Sequence, residues 1–293
     1  GFIAIVGRPN VGKSTLMNHI LGEKVAIVSN KPQTTRNRIL GIYTKGEDQL
    51  VFLDTPGIFT PRNALGDYMV KTAKATMEEA DAVILVADVG REITKVEESV
   101  IQYAKQSETP LVLALNKVDE HNREQIAAAI AAYAEKHTFA AVVPISARNG
   151  TNVDELLDEC RAFLQEGDWM FPDDIVTDQP ERQIAAEVIR EKILRTLDKE
   201  VPHGVAVVIE DFSEEETMIS IRAEIFVEKA SHKGIVVGKN GAELKLIGTY
   251  ARQDLEKIFG TKVYLNLWVK VKDSWRDTLR GVTEFGYVNE DKM

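Results

Sequence analysis

Cysteine occurs once in this chain, at position 160. One cysteine excludes an internal disulfide framework and fits a reducing compartment; the expected role of Cys160 is that of a small buried apolar residue. No apolar run approaches the ~18 residues that cross a bilayer. Gly1 leads directly into an apolar, strand-like run, so no signal peptide is expected. Histidine is scarce, at five residues, and none lies at metal-ligand spacing. The net charge of −10 argues against indiscriminate nucleic-acid binding. What is present is ordinary for a globular protein: 44% hydrophobic and 28% charged residues, over a length sufficient for two domains.

The net charge hides an asymmetry. Residues 229–280 carry eleven Lys and Arg against five acids, a local net of +6 (11 − 5). One part of the C-terminal half is therefore built differently from the rest.

The most informative stretch is Gly7-Arg8-Pro9-Asn10-Val11-Gly12-Lys13-Ser14, which reads G-x-x-x-x-G-K-S. The β-prone residues 2–6 precede it and a helix-like run, 14–21, follows. In such a loop the glycines let backbone N–H groups turn inward around phosphates, and the helix N-terminus adds a positive dipole end. Lys13 is expected to reach the β- and γ-phosphates. Asn10, Val11, Gly12 and Thr15 frame the loop, and the Ser14 hydroxyl is a Mg²⁺ ligand.

Residues 31–37, Lys-Pro-Gln-Thr-Thr-Arg-Asn, have loop chemistry. A nucleotide switch needs a mobile threonine here to complete the Mg²⁺ shell. Thr35 is the first choice and Thr34 the alternative. Residues 39–44 and 49–53 read as strands around a Gly46-Glu47-Asp48 turn, the second ending in Asp54-Thr55-Pro56-Gly57. Asp54 can hold Mg²⁺ through water, and the Gly57 N–H can contact a γ-phosphate. Ile58 occupies the place where many GTPases carry a water-orienting glutamine, which predicts slow intrinsic hydrolysis.

Residues 67–80 and 94–106 read as helices, and 82–87, 111–115 and 142–145 as buried strands. The strand 111–115 runs into Asn116-Lys117-Val118-Asp119. A carboxylate at Asp119 can accept from guanine N1–H and the 2-amino group, neither of which adenine offers. Asn116 ties loops together, and the Lys117 stem can cover the base. Ser146-Ala147 ends the last strand, with the Ala147 N–H expected at guanine O6. A helix over 152–165 closes a doubly wound, mostly parallel α/β domain, with every motif at a strand's C-terminal end.

These elements, in this order, resemble the translation-factor-related small GTPases. The loop at 7–14 and Asp54-Thr55-Pro56-Gly57-Ile58 resemble the bacterial subgroup with a hydrophobic residue in place of the glutamine. That resemblance implies hydrolysis of GTP with Lys13, Thr35 and Gly57 as catalytic groups and Mg²⁺ on Ser14, Thr35 and Asp54. It also implies a K⁺ site at Asn10.

The GTPase domain is expected over 1–168 and a linker over 169–180, where Trp169 and Phe171 are expected to pack between domains. A helix is read at 181–198, with apolar residues at Ile184, Val188, Ile189, Ile193, Leu194 and Leu197. Strands are read at 204–211 and 217–228 around a solvated acidic turn, 213–216. Gly238-Lys239-Asn240-Gly241 is a G-x-x-G loop, followed by a helix over 242–259 and an alternating strand, 262–271. The order α-β-β-α-α-β resembles a type II KH domain, placed at 181–293. In such domains the glycine loop lets an RNA backbone come close while bases enter an adjoining groove. The expected RNA-binding residues are Lys233, Gly234, Ile235, Val236, Gly238, Lys239, Asn240, Gly241 and Lys245, with Ile235 and Val236 lining the groove.

The two domains together, with Gln33-Thr34-Thr35-Arg36, resemble a family of bacterial ribosome-assembly GTPases over essentially the whole length. The resemblance implies a monomeric, cytoplasmic switch that binds GTP and GDP. It further implies binding near the 3′ end of 16S ribosomal RNA, a role in 30S assembly and peripheral contact with the inner membrane face. The competing reading is a GTPase whose C-terminal domain binds a protein or another RNA.

Overall fold

The computed structural model describes residues 1–197 and 201–288. The chain forms two compact units. The first comprises residues 1–26, 35–60 and 69–178; the second comprises 27–34, 61–68 and 179–293.

The first unit is built on a six-stranded sheet with the order β2-β3-β1-β4-β5-β6. Its strands are β1 Phe2–Val6, β2 Ile39–Lys45, β3 Asp48–Asp54, β4 Ala82–Asp88, β5 Leu111–Asn116 and β6 Ala141–Pro144. All pairings are parallel except β2 with β3, the hairpin closed by the turn at Gly46. β4 is apolar at almost every position because both of its faces are covered. Ala82, Ile84 and Val86 join a core with Leu16, Met17, Leu156 and Cys160. Val83, Leu85 and Ala87 face Ala73, Met77, Val100 and Tyr133 on the other side. The first layer holds α1 (Lys13–Leu21) and α5 (Val153–Arg161). The second holds α2 (Ala64–Glu79, from Met69 onward), α3 (Lys95–Ser107) and α4 (Arg123–Lys136). Cys160 is buried as expected, and burial pushes its thiol up to about 12.

Trp169 and Phe171 lie on this unit. The Trp169 indole N–H donates to the Glu47 carbonyl at 2.9 Å. Phe171 packs beside Leu40, Ile42, Val51 and Leu53. The segment continues along β2, where the Ile42 N–H donates to Val176 O at 2.8 Å. These aromatics attach the segment 169–178 to the β2–β3 hairpin, which differs from the packing between domains that their position in the sequence suggests.

The second unit contains a three-stranded sheet, β7 (Ala206–Glu215), β8 (Met218–Val227) and β9 (Lys262–Val271), in that order. β7 and β8 are antiparallel; β8 and β9 are parallel. α6 (Glu181–Thr196), α7 (Ala230–Val237) and α8 (Ala242–Phe259) supply the helices of its core. Alternation on β8 settles the register: Ile219, Ile221, Ala223, Ile225 and Val227 are buried among those helices. A short α9 (Leu279–Glu284) follows β9. Residue 198, the expected end of α6, and 289–293, the end of the expected KH domain, lie outside the described residues.

Candidate nucleotide site and nucleic-acid groove

The glycine loop links β1 to α1. Gly12 has φ +105°, and a Cβ there would meet the Asn116 amide nitrogen at 2.2 Å. Only glycine fits. No side chain caps the first turn of α1, so its N–H groups remain for an anion. Asn10 is exposed and has φ +63°, Val11 is buried and Thr15 half-buried. Lys13 is buried, with its ammonium donating to the carbonyls of Gly7 at 3.2 Å and Arg8 at 2.9 Å. Burial lowers its pKa to about 8 against the upward pull of Asp54. A buried ammonium held by two neutral carbonyls is a receptor for phosphate.

Three oxygen-bearing side chains from separate parts of the chain converge here. The Ser14 hydroxyl donates to Asp54 Oδ2 at 2.6 Å and lies 3.0 Å from Thr35 Oγ1. Asp54 is fully buried, and its Oδ1 has no hydrogen-bond partner. Two hydroxyls and a carboxylate with one buried oxygen left without a partner are a donor set for a hard divalent cation, so these residues fit Mg²⁺. The Thr34 hydroxyl turns the other way, donating to Lys31 O at 2.6 Å. Of the two threonines, Thr35 is the one whose hydroxyl lies beside Ser14. Gly57 is buried against Pro9, where a Cβ would sit 2.8 Å from the Pro9 nitrogen. Ile58 packs into the core beside Ala4 and Val6 and presents no polar group.

Burial raises Asp54 to about 6, while Lys13, Ser14 and the Thr55 N–H pull it down. A carboxyl whose folded pKa lies above its unfolded value favours the folded state when protonated. Without nucleotide and metal, the stability that Asp54 contributes is therefore present below pH 4 and lost as pH rises to about 6. The shift corresponds to about 3 kcal/mol. Urea denaturation of the wild type and of Asp54→Asn between pH 4 and 8 isolates this component, and it is expected only in the wild type. Metal affinity runs the opposite way, falling about tenfold per pH unit below 6 as protons compete for the carboxylate.

The base-recognition residues gather at the ends of β5 and β6. The Asn116 amide donates to Val11 O at 2.7 Å, and its carbonyl accepts the Ala147 N–H at 2.9 Å. The Ala147 N–H, expected at guanine O6, is thus engaged with Asn116 in this structure, because that buried amide closes its hydrogen bonds on the two loops. Lys117 has φ +71°, and its ammonium donates to Asp88 Oδ2 at 2.6 Å. Asp119 is exposed in the following turn, open to a ligand. Ser146 is buried, its hydroxyl accepting the Asn149 N–H at 3.2 Å.

The residues just before Thr35 belong to the second unit, and two buried charges of α6 hold them. Glu191 accepts the Val28 N–H at 3.0 Å. Arg190, 1% exposed, donates to the carbonyls of Gln33 and Thr34 and pairs with Glu187 at 2.6 Å. These anchors escaped the sequence reading, which rested on the apolar residues of α6. Arg190→Ala leaves those carbonyls and a carboxylate without their partner and is expected to cost about 3 kcal/mol, read as a lowered denaturation midpoint.

The glycine loop of the second unit joins α7 to α8. Gly238, Asn240 and Gly241 have φ of +72°, +54° and +77°. A Cβ on Gly238 would meet the Glu243 nitrogen at 2.9 Å. Lys233, Gly234, Ile235, Lys239, Asn240 and Lys245 are exposed around the loop. Val236 is fully buried in the core of the unit. It belongs to that core and, contrary to expectation, does not border the unit's open groove. The open groove, about 440 Å³, lies between α8 and β9, bordered by Gly241, Lys245, Gly248, Arg252, Tyr264 and Asn266 over Leu244, Leu265 and Leu267. Of the expected residues only Gly241 and Lys245 border it. The signal that marks it is Gly248, a glycine inside a helix whose Cβ would touch only Leu267.

The first unit is a P-loop GTPase fold with a Mg²⁺-type cluster and a guanine-type Asn116/Asp119 pair; the second is a KH fold of type II. Residues 2–117 match the family model described as 50S ribosome-binding GTPase, and residues 200–276 match that of the KH domain. GTPase Era of Alkaliphilus metalliredigens is 47% identical over 289 residues, covering 98% of each chain. GTPase Era of Alkaliphilus oremlandii is 50% identical, again over 98% of each. Among solved structures, an Aquifex aeolicus Era variant bound to GDP·AlF₄⁻ matches with a TM-score of 0.95 at 42% identity, covering 99% of both chains. Era in complex with MgGDPNP and nucleotides 1506–1542 of 16S ribosomal RNA matches equally well. The chain belongs to the GTPase Era family.

Proposed function

We propose that this protein is a GTP-hydrolysing switch that binds 16S ribosomal RNA through its KH groove and acts in 30S assembly. The observation that carries the reading is the convergence of Ser14, Thr35 and the buried, half-partnered Asp54 beside the Lys13 ammonium. The RNA half is supported by the basic-edged α8–β9 groove beside the glycine loop. It is also supported by the 16S fragment bound to a 42%-identical relative.

Lys13 and the N–H groups of the loop bind and orient the phosphates; Asp119 selects the base. Ser14, Thr35 and Asp54 hold Mg²⁺, which when bound neutralises charge building on the phosphates. With Ile58 buried in the core, no side chain orients the attacking water, and the intrinsic rate is slow. Thr35 reports the γ-phosphate, and its loop changes order on hydrolysis. Asn10, at a positive φ on the rim of the phosphate loop, is the K⁺ position in this reading. Hydrolysis measured in KCl is expected to be at least severalfold faster than in NaCl, and equal rates refute the K⁺ site. The working place is the cytoplasm, as a monomer, with peripheral contact at the inner membrane face. No helix among the described residues is long and apolar enough to cross a membrane.

A further inference from the structure

The outer face of the KH sheet carries large side chains that the core does not use. β9 is one of the two edge strands, and its side chains alternate. Val263 and Val269 point into the core, whereas Tyr264 and Trp268 are 55% and 58% exposed. Four residues apart on one strand, these two rings share a face about 13 Å apart. Asn266 lies between them, and the exposed Lys262 and Lys270 flank them.

We propose that this rim is a second single-stranded RNA subsite, on which nucleotides leaving the KH groove stack their bases. The inference rests on the groove being the RNA site. Three observations favour RNA as the occupant. First, the surface is continuous with the groove: Tyr264 and Asn266 border it, and Trp268 is the next residue on the same face. Second, the charge is distributed to suit a phosphate backbone. Lys262 and Lys270 are exposed along β9, and Glu224, across from Trp268 in the register, is paired with Lys270. The opposite margin, β7, carries the exposed acids Asp211, Glu214 and Glu215, which would keep a polyanion on the β9 side. Third, the aromatics that serve the fold are elsewhere. Phe226 meets Phe285, which meets Trp275, and the Trp275 indole donates to Gly204 O at 2.9 Å. Trp268 has no part in that cluster. A flat exposed ring accepts any base, so this subsite would extend contact length without adding base selectivity.

The test is anisotropy titration of the full chain with RNA comprising nucleotides 1506–1542 of 16S RNA at several salt concentrations. Trp268→Ala is expected to weaken binding roughly tenfold with an unchanged salt slope, because a stacking contact is lost and no ion pair. Trp268→Phe should restore most of the affinity, and Trp268→Leu, apolar but not planar, should not. Wild-type affinity in Trp268→Ala overturns the proposal, as does rescue by leucine. If Trp268→Ala leaves RNA binding intact but abolishes a concentration-dependent dimer in sedimentation, the rim holds a second copy of the chain and the proposal fails. Gly238→Asp separates the two layers. If it abolishes binding while Trp268→Ala does not, only the rim is refuted. If neither variant affects RNA, the groove assignment falls as well.

Discussion

Asp119→Asn is expected to lower GTP affinity by three to five orders of magnitude and to move preference toward xanthosine triphosphate. The carboxylate is exposed in the turn after β5, while Asn116 is committed to Val11 and Ala147. Base choice therefore falls on Asp119. Guanine offers two donors on its N1 and 2-amino edge, and a carboxylate accepts from both. An amide can accept only one and turns a donor toward the other, leaving two donors facing each other. Sites that rely on such paired contacts reject the mismatched ligand by ~10⁴ or more. Xanthine replaces the 2-amino group with an acceptor, which the amide N–H matches. The measurement is competition of GTP and xanthosine triphosphate against a fluorescent nucleotide. Unchanged GTP preference would remove the guanine assignment.

Gly238→Asp is expected to reduce RNA affinity on the order of a hundredfold or more. The backbone there has φ +72°, and a Cβ would press on Glu243 at 2.7 Å from its Cγ. The substitution adds about 1–2 kcal/mol of backbone strain and a negative charge where a phosphate must approach. Like charges brought together at an interface cost several kcal/mol. Electrophoretic mobility shift with the 16S fragment reads the loss, and nucleotide affinity in the same preparation controls for folding of the first unit. An RNA affinity within threefold of wild type would mean that the glycine loop is not where the backbone lies.

Local pattern carried most of the fold. β4 was legible because both of its faces are covered, and β8 and β9 because one face is. Thr94 and Asn122 cap helices by local chemistry. Yet α4, which Asn122 begins, was not read at all. Its stripe, Ile126, Ala129, Ile130 and Tyr133, is diluted by alanines on every side, and Tyr133 is its one fully buried residue. The nucleotide motifs were legible because each sits whole at one strand end. Sequence put Thr35 first but left Thr34 as an alternative, since the two are neighbours of one type. Only their hydroxyl directions, to Lys31 and to Ser14, distinguish them. Val236, expected to line a groove, is buried in the core instead, for a related reason. A glycine loop marks where a backbone approaches, but the groove wall comes from β9, more than twenty residues further along. Arg190 and Glu191 were missed because their partners, Thr34 and Val28, lie over 150 residues away in sequence.

The central claim is a nucleotide-controlled switch on 16S RNA. The direct measurement is crosslinking of the protein to cellular RNA, loaded with a non-hydrolysable GTP analogue or with GDP, followed by sequencing. The account predicts reads concentrated near the 3′ end of 16S RNA and stronger with the GTP analogue. Scattered reads, equal in both states, would contradict it and leave a GTPase with an RNA-binding domain but no assembly role on the ribosome.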